Sequence, residues 1–201
     1  TADRSARVIA ISFHAYLSDF LIVDANGSEW TYDGFMNSGK DPSEAILIHV
    51  ATEELLAAGC DYYLSLHDLA YGKYHRTTTA IPGKSWAAQN VQFTSVPVNP
   101  SVSDPLYYDG YKSTYLIINE GLDRGIATDC HTFTTRETIQ LGLDTLYGYT
   151  PTKGQYEPLI ANYDYINDMV LYARPDGNPV TNFWNKNKGT STQQSATDAY
   201  Y

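Results

Sequence analysis

The stretch "DFLIVDANGSEWTYDGF" (residues 19–35) decides how the rest of the chain is read. Leu21, Ile22 and Val23 form an apolar, partly β-branched run. Asn26-Gly27 follows, and Trp30 and Tyr32 then alternate. Asn-Gly between two strand-like runs signals a hairpin, because both residues tolerate positive φ. Asn26-Gly27-Ser28 also matches a glycosylation sequon, but a turn already explains it. The hairpin makes the fold β-containing. "RVIAISF" (7–13), before it, adds another β-branched run.

Downstream, Asp41 suits a helix cap, Pro42 a first helical position and Gly59 a C-terminal stop. Between them Ile48, Ala51, Leu55 and Ala58 recur at helical spacing. This predicts a helix over 42–58, with His49 in its middle in a structural role. "CDYYLSL" (60–66), "AYGKYHRTTTAI" (70–81) and "NVQFTSVPV" (90–98) read as strands. "STYLIINE" (113–120) and "GIATDCHTF" (125–133) read as a strand pair around a Gly121–Gly125 turn. A capping box at Thr134-Thr135-Arg136-Glu137 predicts a second helix over 135–147, lined by Ile139, Leu143 and Leu146. Leu159, Tyr163, Ile166 and Val170 predict a third over 158–172. Pro175 to Pro179 then makes a firm turn.

These elements predict an α+β fold, a mostly antiparallel sheet with two or three helices packed on it. The division is one domain over 1–184 and a polar C-terminal arm over 185–201, "NKNKGTSTQQSATDAYY". The arm has almost nothing to bury, so its ordering needs an outside surface. Tyr200 and Tyr201 are its natural anchors.

The chain has 201 residues, enough for a core without covalent staples. Its net charge is −10, and the best basic cluster, Lys73-His75-Arg76, is too small to grip a phosphate backbone. Direct nucleic-acid binding is not expected. No apolar run reaches membrane-spanning length and none reads as a signal peptide, so no membrane partner is expected. Cys60 and Cys130 leave both a single disulfide and two free thiols open.

Five histidines carry the candidate chemistry. His14 follows an apolar strand and reads as structural. "SLHDLAYGKYH" (65–75) holds His67, Asp68 and His75. On a continuous strand His67 and His75 lie about 26 Å apart, at ~3.3 Å per residue, so they do not share a ligand unless Gly72 turns the chain. The surviving constellation is His67-Asp68 meeting Asp129-Cys130-His131 from a neighbouring strand. Zinc or iron accepts such ligands, yet no metal-site spacing is present, and no cofactor is assigned. Cys130 and His131 are adjacent, so on a strand they face opposite ways and do not pair.

Tyrosine is the compositional outlier, with 18 copies against 6 Phe and 3 Trp. Tyrosine combines a large apolar ring with a polar tip and is enriched at protein interfaces. Tyr71, Tyr74, Trp184, Tyr200 and Tyr201 are the interface candidates. The leading expectation is a structural subunit of a large assembly, most specifically a virion component of a tailed phage (neck, tail or decoration protein). Its partners are then copies of itself and other subunits, in a virion or extracellular setting. The alternative is a secreted or cell-surface hydrolase, possibly metal-assisted, using His67, Asp68, Asp129 and His131. A second alternative is a carbohydrate-binding or adhesive module, with Trp30, Trp86 and Trp184 as stacking platforms.

Overall fold

The structure, a computed structural model, describes residues 19–66, 93–121, 139–141, 144–146 and 149–173. Its centre is a four-stranded antiparallel sheet of order β2-β1-β3-β4. The strands are β1 (Phe20–Asp24), β2 (Glu29–Trp30), β3 (Ala45–Val50) and β4 (Tyr62–Ser65). With the helices around it this is the expected α+β architecture. The expected strands 7–13, 70–81 and 125–133 lie outside the described residues, as does the 184/185 boundary.

The hairpin reading of 19–35 holds. Ile22 pairs with Trp30 and Val23 with Glu29, and Gly27 sits at φ +81° in the connection. The turn is pinned by Asp24, whose carboxylate accepts from Asn26 N (2.9 Å), Ser28 N (3.0 Å) and Trp30 Nε1 (3.2 Å). Lys40 Nζ adds an ion pair at 3.2 Å. A buried carboxylate is tolerated because each of these donors compensates its lost hydration. Helix α1 (Tyr32–Met36) follows directly, capped by Thr31 Oγ1.

The expected helix over 42–58 is three elements instead. Asp41 and Glu44 form a capping box around a short 3₁₀ turn, Pro42–Glu44. The chain then enters β3, and only Glu53–Ala58 is α-helical (α2). "AILIHV" is a short apolar run rich in β-branched residues, and periodicity does not separate such a run from a buried helix segment. Its strand pairs on both sides, with β1 and with β4. Gly59 does end the helix, in the left-handed region at φ +64°.

Two more expectations are overturned. The expected strand at 113–120 is helix α3 (Gly110–Asn119), capped by Asp109. Its buried positions, Gly110, Ser113, Thr114 and Ile117, follow i, i+3, i+4, i+7 spacing, but most are small or polar. The expected helix at 135–147 contains a hairpin of β5 (Ile139–Leu141) and β6 (Asp144–Leu146), pairing Ile139 with Leu146. Within the described part of the expected strand at 90–98, residues 94–96 form bends and Val98 an isolated bridge. The third helix is helical as expected but divided, into α4 (Lys153–Ala161) and α5 (Tyr163–Ala173). The break falls at Asn162, and Thr152 and Gln155 supply α4's capping box.

One face of the sheet carries the main core. Phe20, Ile22, Ile48, Val50 and Tyr62 pack with Phe35 of α1, Leu55 of α2, Leu159 of α4, and Ile166, Met169 and Val170 of α5. The opposite face bears Leu21, Val23, Leu47, His49 and Tyr63, the alternate positions of the same strands. A smaller cluster joins Phe93 and Val96 to Ile117 of α3. There Glu120 closes the loop, accepting from Thr94 N at 2.8 Å and from Ser95 N.

Candidate functional site

His67, Asp68, Asp129 and His131 lie outside the described residues, as do His14, His75 and Cys130. The interface candidates Tyr71, Tyr74, Trp184, Tyr200 and Tyr201 lie outside them too. Three side-chain clusters do stand within the described residues.

The first is built on the non-core sheet face. His49 of β3 sits opposite Tyr63 of β4, so their side chains share that face. Their rings stack at 4.6 Å with a 21° tilt. His49 Nδ1 lies 2.7 Å from Glu29 Oε1, and Nε2 lies 3.0 Å from Asp61 Oδ2. Carboxylates only accept, so both bonds form together when both ring nitrogens carry protons. The trio therefore works as a brace from β2 across to β4. Among the described residues, no three His, Cys, Asp or Glu side chains are arranged to hold a metal ion.

The second cluster is a buried polar seam between the helices and β4. Tyr62 donates its hydroxyl to Gln155 O at 2.6 Å. The Gln155 side-chain amide donates to Tyr149 Oη (2.8 Å) and Cys60 O (3.2 Å), while its Oε1 accepts from Thr152 N. Thr114 of α3 closes the seam, giving its hydroxyl proton to Thr150 O and accepting from Thr150 N. Gly110 of α3 allows this close approach, since a Cβ there would run into Gln155 Oε1 and sit 2.9 Å from Thr150 O. Burial pushes the Tyr62 and Tyr149 hydroxyls well up. Cys60 is a free thiol, and burial first, then Asp109 and Asp61, push it up as well. A raised thiol offers little thiolate, which disfavours nucleophilic use.

The third cluster is aromatic and lies at the surface. Tyr111 and Tyr115 are one turn apart on α3, with ring centroids 5.0 Å apart, and Tyr111 meets Tyr149 edge-on at 5.9 Å. Nearby, Tyr107 and Tyr108 contact at 4.9 Å, and Tyr107 donates to Glu157 Oε2 at 2.7 Å. The sequence signal for this patch is the "YYDGYKSTY" run (107–115), with Tyr111 and Tyr115 at i, i+4 spacing; only its last three residues fall in the segment expected as a strand, 113–120.

Comparison with protein-family models, with curated proteins and with solved structures gives no match. Among the described residues, no helix is long and apolar enough to cross a membrane.

Proposed function

We propose that this chain is a structural subunit of a larger protein assembly, with a tailed-phage virion as its specific setting. The observation carrying the reading is an exposed apolar step on the C-terminal helices. Ile160, near the end of α4, is 66% exposed, and Tyr163, which opens α5, stands exposed beside it in sequence. Ile160 leaves a large aliphatic side chain in water, and an apolar contact with another subunit removes that cost. The abundance of tyrosine supports the same reading, because Tyr is enriched at interfaces. So do the roles of His49, Gln155 and Tyr62, whose polar groups brace the fold.

Native mass measurement across a concentration series tests it. The expected result is a discrete oligomer that Ile160→Asp shifts to smaller species while circular dichroism stays unchanged. A strict monomer at every concentration, for a chain also found apart from particles, overturns it.

A further inference from the structure

We propose that Glu29, His49 and Asp61 form a proton-operated clasp on the edge strand β2, closed in mild acid and released as pH rises. The proposal stands apart from the assembly reading above. β2 is two residues long and joins the sheet by pairing Trp30 with Ile22 and Glu29 with Val23. From β2, Glu29 reaches over β1 to His49 Nδ1 on β3, and His49 Nε2 continues to Asp61, just before β4. One imidazole thus ties both edges of the sheet to its middle.

Protonation decides whether the clasp closes. Both acceptors are carboxylates, so each ring nitrogen has to donate. The doubly protonated ring does this. A neutral ring has one donor, and its bare nitrogen then faces a carboxylate oxygen, lone pair against lone pair. One end of the clasp lets go. The His49 side chain is 12% exposed, so water replaces the lost bond only in part. Tyr63 of β4 stacks on the ring at 4.6 Å, and its π face favours the cation. β1 brings the uncharged Leu21 opposite His49. The other charged groups at this end of the sheet are acidic, Asp19 just before β1 and Glu53 and Glu54 in the first turn of α2. Lys40 lies over the Trp30 ring but is held by Asp24 and Glu44.

Histidine ordinarily changes charge between about pH 5 and 8, which sets the range to scan. The reporter is the Trp30 indole N–H of β2, which donates to Asp24 Oδ2 at 3.2 Å. Its hydrogen exchange is followed by NMR on the full chain, each rate corrected for the intrinsic effect of pH. The expected result is opening that grows by up to about fivefold across the range, the span of a partly exposed ion pair. His49→Gln is expected to lose this response. Asp61→Asn separates the clasp from other causes. Its amide donates to the bare Nε2 while Nδ1–H still donates to Glu29, so a neutral ring keeps both contacts. Protection in this variant is expected to stay level with pH. A parent whose opening does not change with pH overturns the proposal. A rise that persists in His49→Gln or in Asp61→Asn overturns it too, because another group then carries the response.

Discussion

The hydroxyl of Tyr62 and the backbone carbonyl of Gln155 meet at 2.6 Å although 93 positions separate them in sequence. This bond ties the last strand of the sheet to the first turn of α4. Both residues are buried, so water does not replace the bond without opening the core. Tyr62→Phe keeps the ring and deletes only the hydroxyl. The expected loss is about 1 kcal/mol of unfolding free energy. In urea the midpoint falls while the slope stays constant, since the same surface is exposed on unfolding.

The core and surface positions of α5 separate cleanly. Ile166 is fully buried against the sheet, whereas Leu171 is largely exposed. Ile166→Ala removes packed methyl groups and leaves a cavity, costing about 2–5 kcal/mol. Leu171→Ala stays within about 0.5 kcal/mol. Chemical denaturation of both variants checks the difference.

Asp24 gives the hairpin an acid-sensitive pin. Burial works to raise its carboxyl, but the Ser28 and Asn26 N–H groups, with Lys40 and Trp30, outweigh burial and hold it below the usual value. A depressed folded value means that the charged form contributes stability above the unfolded value, about 3.9. That contribution is lost as pH falls through the lower folded value. Asp24→Asn is therefore expected to be less stable than the parent at neutral pH. The gap closes on acidification below about pH 4. Thermal unfolding of the pair across this range reads it directly, and a gap constant with pH contradicts the account.

The His49 brace is expected to contribute modestly. Glu29 and Asp61 are both partly in water, where ion pairs typically contribute about 0.2–1 kcal/mol. A double-mutant cycle of Glu29→Gln and His49→Gln isolates the term. A coupling inside that range supports a brace, and none at all assigns the stability to Tyr63 stacking.

Some of this was legible in the residues themselves. Asn26-Gly27 announced the first hairpin, because its signal is local and depends on backbone sterics. Gly59 announced a helix end for the same reason. "AILIHV" did not announce a strand. Its faces are buried on both sides, so the alternation that marks a half-exposed strand is missing. α3 was hidden for the opposite reason. Its buried stripe is Gly110, Ser113, Thr114 and Ile117, and small polar residues carry little hydrophobic signal. The candidate clusters were less legible still. Glu29, His49 and Asp61 come from three separate segments, and no local spacing connects them.

The sequence by itself determined the α+β class, the first turn, the helical character of the 153–173 segment and the acidic, tyrosine-rich composition. These follow from short-range sterics, periodicity and composition. Only the tertiary structure decided which face of β3 holds His49, which carboxylates reach it, and that Tyr62 closes on Gln155. Those outcomes depend on strand register and on helix docking across long loops. A shift of one residue in the β1–β3 register sends His49 to the core face and Ile48 to the other. Burial of Phe20, Ile22, Ile48 and Val50 together is what excludes that shift.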